Sequence, residues 1–311
     1  MSGYKYIFPD VFKRLHNAVN SKPKQLVKLR ESKKYRYEKQ TVVVQGFQYI
    51  KELRDLGFNF KSIFATAKKI PREDQEVGYP AKQVIEHTDA FPAKDYYLTD
   101  IDLTRNILGT ASRPGIHEVY AEIEFPYYQP EGERWVVFDR VNDPESLGIL
   151  VRTAKGLGWD SGIVTSDHSD LYNDTTIRAS KIASLTWPHI MVGVDRLSDF
   201  LKKHNITPVV ANVLPKDTQE EAWSPEFGHV NIKDIKSGSG VWFWNLNGKE
   251  PKVPKKMALI LSCMHGGLHT SFDNDIRVSI PLEPGVNSLN VAAAGSIIMT
   301  ELNRQRACVT K

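Results

Sequence analysis

Three segments of the chain place polar residues at strand ends, where a ligand could be held. VVFDRVNDPESLGILVRTA (136–154) reads as a strand, an Asp-Pro turn and a helix in which Arg152 lies six residues beyond Ser146. MALILSCMHGGL (257–268) is a buried strand that delivers a glycine turn. VSIPLEPGVNSLNVAAAGSII (278–298) is a strand, a proline-glycine loop and a helix capped by Asn287 or Ser288, with small residues behind the cap. Taken singly, each also fits an ordinary sheet-edge loop of an α/β domain. Other signals carry less. Gly156, Gly158 and Gly162 follow a helix and precede a strand, the wrong order and spacing for a dinucleotide site. His265 and His269 stand four apart, but Gly266 and Gly267 disfavour the helix that would aim both at one ion, and no third ligand is evident. A glycine turn without a metal is therefore expected, and neither a GxSxG elbow nor a P-loop is present.

The elements that must position these segments alternate strand and helix. WVVFD (135–139), SGIVTS (161–166), TPVVAN (207–212), VWFWN (241–245), MALILS (257–262) and VSIP (278–281) read as strands. Helices are expected near 145–157, 174–184 and 195–204, with a long one from about 288 to 306. Apolar runs of four to six residues separated by helices predict a parallel sheet covered on both faces. Ligands sit at the carboxyl ends of such strands, so loops 139–146, 262–270 and 280–288 are where chemistry is sought. Asn247–Gly248 reads as a hairpin turn. Upstream, TVVVQGFQYIKELRDLGFNFKSIFAT (41–66) predicts strand, helix, strand, and GTASRPGIHEVYAEIEFP (109–126) closes a compact α/β unit. The expected division is a basic extension over 1–24, a small α/β domain over 25–120, a linker over 121–134 and a parallel-sheet α/β domain over 135–311.

A length of 311 residues at 41% hydrophobic suits two globular domains. No apolar run approaches a membrane span, and two cysteines are too few for a disulfide framework, so a soluble intracellular protein is expected, without a membrane partner. The net charge of +4 conceals an asymmetry, because residues 1–39 alone carry +8 and the remainder −4. A basic leader with Tyr35 and Tyr37 interleaved predicts contact with nucleic-acid phosphates and bases through Lys33, Lys34 and Arg36, joined by Arg113. A solvated amphipathic helix around 10–20 is the plain alternative. A transit peptide is another, and it inclines the expected compartment towards the mitochondrion over the cytoplasm.

In order, spacing and wording the three segments resemble the signature motifs of the SpoU (TrmH-like) branch of the SPOUT RNA methyltransferases. NSLNVAAA (287–294) is the most specific piece. VVVQGFQYI (42–50) stands where that family's substrate-binding domain has its strand and helix. The resemblance implies a trefoil knot, a rare exception to unknotted topology, together with S-adenosylmethionine bound in the knot and a homodimer. It also implies 2′-O-methylation of a ribose, in ribosomal RNA in preference to transfer RNA. On this likeness Arg152, Ser288 and Asn290 are the candidate catalytic residues. Leu261, Ser262, Gly267, Ile280, Leu282 and Leu289 are the candidate cofactor contacts. Arginine is a reluctant base, so Arg152 is expected to orient the ribose-phosphate and stabilise charge on the 2′-oxygen.

Four positions depart from the pattern: Ser146 for asparagine, Met264 for glutamate, Ser262 for glycine and Ile182 for a second glycine. Two readings follow from them. One is an active RNA methyltransferase; the other is a SpoU-like RNA-binding factor without turnover, acting on a ribosomal assembly particle.

Overall fold

A computed structural model describes residues 6–16, 21–71, 76–165, 169–215, 220–244, 253–262 and 276–309. The chain forms two compact units, Met1–Tyr127 with Tyr172–Asp174, and Tyr128–Leu171 with Thr175–Lys311.

The first unit contains β1 (Phe12–Arg14), α1 (Ser21–Glu31), α2 (Lys33–Lys39), β2 (Thr41–Gln45), α3 (Phe47–Asp55), β3 (Phe60–Thr66), α4 (Ala81–Glu86), β4 (Ala93–Thr99), α5 (Ile101–Leu108) and β5 (Val119–Glu124). Its sheet runs β1-β4-β3-β5-β2, parallel across the first three strands and antiparallel thereafter. The basic leader is part of this fold. Phe12 is buried, Lys13 pairs with Asp95 at 2.9 Å, and Phe12–Arg14 lie parallel to β4, so a short strand stands where an amphipathic helix around 10–20 was the alternative. Leu26 and Leu29 then bury one side of α1 against Phe64, Leu103, Ile107 and Tyr120. The last strand of this sheet reaches Glu124, inside the stretch expected to link the halves, because Thr41–Gln45 need Tyr120–Glu124 as their partners.

The second unit contains β6 (Arg134–Asp139), α6 (Pro144–Gly156), β7 (Ser161–Thr165), α7 (Asp174–Ala179), α8 (Ala183–Thr186), β8 (His189–Val192), α9 (Leu197–Lys203), β9 (Thr207–Ala211), β10 (Glu221–Ser224), β11 (Gly228–Asn231), β12 (Trp242–Trp244), β13 (Met257–Ser262), β14 (Ile276–Ser279) and α10 (Val291–Val309). Strands β14-β9-β13-β6-β7-β8 form the parallel sheet expected from the apolar runs. One face carries α6 and α10 over Val136, Phe138, Leu259 and Leu261; the other carries Leu197 and Leu201 of α9 over Val137, Ile163 and Ile260. Fully burying a Leu or Ile side chain contributes about 1.5–3 kcal/mol, so these layers hold the unit together.

Two features depart from expectation. The Trp242–Trp244 strand runs antiparallel to β14, and β10 and β11 extend that edge as a small antiparallel flap over Ala222 and Ile232. The helix expected over 174–184 is broken, because Lys181 (φ 47°) and Ile182 (φ 60°) both stand in the left-handed region. A buried β-branched residue is poorly suited to that conformation, which explains the expectation of glycine at 182.

Candidate active site

The first turn of α6 is set by Asp143, whose carboxylate caps the helix by accepting the Ser146 N–H at 2.8 Å, with Pro144 filling the first helical turn. Hydrogen bonds from the Ser146 side chain and backbone hold the Asp143 carboxyl below the usual carboxylate range. Ser146 itself is buried and faces α10. Arg152, six residues on, turns outward; its exposed guanidinium has no partner among the described residues. That disfavours a surface arginine merely neutralised by a neighbouring carboxylate.

Helix α10 begins one turn later than expected, and its cap is Asn290, not Asn287 or Ser288. The Asn290 Oδ1 accepts the Ala292 N–H at 2.8 Å, while Nδ2 donates to Ser146 Oγ at 3.1 Å. The structure thus joins Ser146 to Asn290 but leaves Arg152 without a hydrogen bond to either. Ser288 is exposed and its hydroxyl meets no described partner. The small residues behind the cap matter sterically. A Cβ on Gly295 would stand 2.5 Å from Leu150 Cδ2 and 2.8 Å from Leu261 Cδ1, so glycine lets α10 lie against α6 and β13.

At the carboxyl end of the sheet, Asp139 gathers its neighbours. It is 3% exposed, accepts Thr165 Oγ1 at 2.8 Å and Ser262 Oγ at 3.1 Å, and lies 3.3 Å from Arg140 Nη2. Register places Thr165, Asp139 and Ser262 side by side on three neighbouring strands. The Ser262 side chain is thereby committed to Asp139. Leu261 is buried in the core shared with α6. Ile280 and Leu282 are half-buried and Leu289 is 37% exposed. Gly267, Met264 and the two histidines of HGGLH lie outside the described residues, as does the Asn247–Gly248 turn. Among the described residues no group of three His, Cys, Asp or Glu could hold a metal, and no helix is long and apolar enough to cross a membrane.

The basic residues of the first unit divide. Arg36 is corrected: it is 2% exposed and its guanidinium donates to the Leu29 and Arg30 carbonyls at 2.5 and 2.7 Å, closing the end of α1. Lys33 lies over the Tyr37 ring and Lys34 stands 4.0 Å from Glu38. Tyr35 and Tyr37, read as stacking groups, are half-buried; Tyr37 packs edge-on against Phe125. Arg113 is exposed with φ 47° and its guanidinium has no described partner. Sequence reasoning missed Asp139, for which an aspartate ending an apolar strand was the available signal, and it read Asp143 only as part of an Asp-Pro turn.

A protein-family model, the SpoU rRNA Methylase family, matches residues 133–300. The chain belongs to the SpoU family. Among its relatives, the chain is 24% identical over 293 residues to 23S rRNA (guanosine(2553)-2′-O)-methyltransferase RlmP of Bacillus subtilis, covering 93% of this chain and 99% of RlmP. It is 21% identical to rRNA methyltransferase 3, mitochondrial, of Xenopus laevis, covering 92% of this chain and 76% of that protein. The fold is similar to that of the AdoMet-bound rRNA methyltransferase from Sinorhizobium meliloti, with a TM-score of 0.68 at 20% identity over 94% of this chain and 98% of that one. The parallel-sheet domain carrying α6 and α10 is therefore a SpoU fold, as the three motifs implied. The stretch between β13 and β14, residues 263–275, through which a trefoil knot would be threaded, lies outside the described residues.

Proposed function

We propose that this SpoU chain methylates a ribose 2′-hydroxyl of ribosomal RNA with S-adenosylmethionine. The observation that carries the reading is Arg152, an exposed guanidinium without a described partner, on a helix whose first turn is bonded to the motif-three asparagine. When bound, the cofactor supplies a sulfonium-activated methyl group, so the protein's work is alignment and charge stabilisation. The residues present suit it. Exposed Leu289 and Val286 with half-buried Ile280 and Leu282 leave apolar surface along loop 280–290 for an adenine, with the Leu261–Ser262 backbone at the end of β13 as the other expected contact. Arg152 orients the ribose-phosphate and stabilises negative charge developing on the 2′-oxygen, with the exposed Ser288 hydroxyl in the same motif as a second polar group.

RNA is met by the first unit. Loops 78–81 and 113–118 are joined by Gly78 N–H to His117 Nδ1 at 3.3 Å and Ala81 N–H to the His117 carbonyl at 3.2 Å. They carry exposed Tyr79, exposed Ile116 and the Arg113 guanidinium, a set suited to stacking and phosphate contact with an unpaired strand. Lys33 and Lys34 add phosphate contacts. A homodimer would cover Ile149 of α6 and Ile297 of α10, which are 42% and 45% exposed. The likeness to a mitochondrial relative favours the mitochondrion over the cytoplasm. Ser146, in place of the family's asparagine, favours the second reading, an RNA-binding factor without turnover on an assembly particle.

The test is transfer of label from S-adenosylmethionine to ribosomal RNA. Label should enter a ribose, and Arg152→Ala should reduce transfer at least about a hundredfold without moving the unfolding temperature, because the side chain is exposed. Tight RNA binding by the unaltered chain with no transfer would overturn this reading in favour of the second.

A further inference from the structure

We infer that Ser146 and Asn290 form a latch that positions the motif-three loop, making Asn290 in this chain a positioning residue and not a group that touches substrate. The functional consequence rests on the methyltransferase reading above; the latch itself does not.

Both polar atoms of the Asn290 side chain hold partners within the chain. Its Oδ1 accepts the Ala292 N–H at 2.8 Å and stands 3.4 Å from the Ala293 nitrogen, capping a helix of 19 residues, and its Nδ2 donates to Ser146 Oγ. The Ser146 backbone N–H in turn is taken by the Asp143 carboxylate at 2.8 Å, which fixes the first turn of α6 that carries the serine. A hydroxyl has two acceptor sites, so Ser146 Oγ can take the Asn290 amide without strain on that cap. The result is a direct bond between the starts of two helices whose joined residues are 144 positions apart.

Serine is a short side chain for such a bridge. It reaches because α10 approaches closely: a Cβ at position 295 would overlap Leu150 and Leu261. Loop 280–290 is therefore held at both ends, by the pairing of β14 with β9 and β12 at one and by the latch at the other. The serine that stands for the family's asparagine thus has a positioning role in this chain through its hydroxyl. Ser288, two residues before the latch, remains the exposed polar group of the motif.

The test uses the full chain with Ser146→Ala, Asn290→Ser and the two combined. Serine at 290 retains a good helix cap but is too short and lacks the amide donor, so it removes only the latch. Each single change is expected to weaken S-adenosylmethionine binding about fivefold by calorimetry, as for one lost neutral hydrogen bond, and the double change no further. The same cycle read by thermal unfolding should show the two changes coupled. Additive effects on unfolding would overturn the latch. Coupled unfolding with unchanged cofactor affinity would overturn the positioning role. A parent chain that binds no cofactor would overturn both the methyltransferase reading and the positioning role, while the unfolding cycle still judges the bond.

Discussion

Glu122 in the first unit and Asp139 in the second are both buried carboxylates on central strands, and they are held in opposite ways. Glu122 lies within β5 and is bonded by two residues of α1, Lys22 and, at 2.9 Å, Gln25. Asp139 ends its strand and is bonded by Thr165 and Ser262, the last residues of two flanking strands, with Arg140 beside it. The first fastens a helix to the sheet. The second ties strand ends together where an α/β sheet presents its ligands. Glu122 therefore serves the fold of the first unit, whereas Asp139 orders the strand ends beside the site proposed above.

The comparison breaks most directly at Glu122. Glu122→Ala leaves Lys22, only 19% exposed, without its partner and should cost about 3–5 kcal/mol in denaturant unfolding, with cofactor affinity in the folded fraction unchanged. Arg36→Ala comes next, at about 2–3 kcal/mol, since two carbonyls lose a charged donor. The salt dependence of RNA binding should not change in that variant, while Lys34→Ala should reduce its slope by about one; a reduced slope for Arg36→Ala would return that residue to the RNA surface.

At the other pole, Asp139→Ala should cost about 1–3 kcal/mol, for desolvated hydroxyls left without an acceptor, and weaken cofactor binding as well. Equal cofactor affinity would erase the distinction between the two carboxylates. The smallest effect is at the α6 cap, where Asp143→Ala should cost about 1 kcal/mol. Its carboxyl is held below the ordinary value of 3.8, so this contribution is present above that pH and is lost as pH falls through the lower folded-state value. Acid unfolding of Asp143→Asn should accordingly begin no earlier than its neutral-pH stability predicts.

Much of the second unit is legible in the sequence because its parallel strands are continuous apolar runs and α6 opens on an Asp-Pro cap. Strands β10 and β11 are not, since EAWS and GHVN are four residues each and acquire strand character only by pairing with one another and with β12. Strand β1 hides in a basic leader because three residues suffice once Tyr96–Leu98 are alongside. At the site, residue types in a motif announce Arg152, Ser288 and Asn290, but the bond between Ser146 and Asn290 depends on how two helices pack. Arg36 shows the converse: a cation in a lysine-rich run looks like a phosphate contact until the end of α1 takes its guanidinium.

The central claim is that loop 280–290 and the end of β13 hold S-adenosylmethionine for a reaction assisted by Arg152. Calorimetric titration of the full chain with S-adenosylmethionine, with Leu289→Arg as control, tests it most directly. Binding at micromolar concentrations that the added charge abolishes is the predicted result. No heat of binding, or binding indifferent to Leu289→Arg, would contradict it.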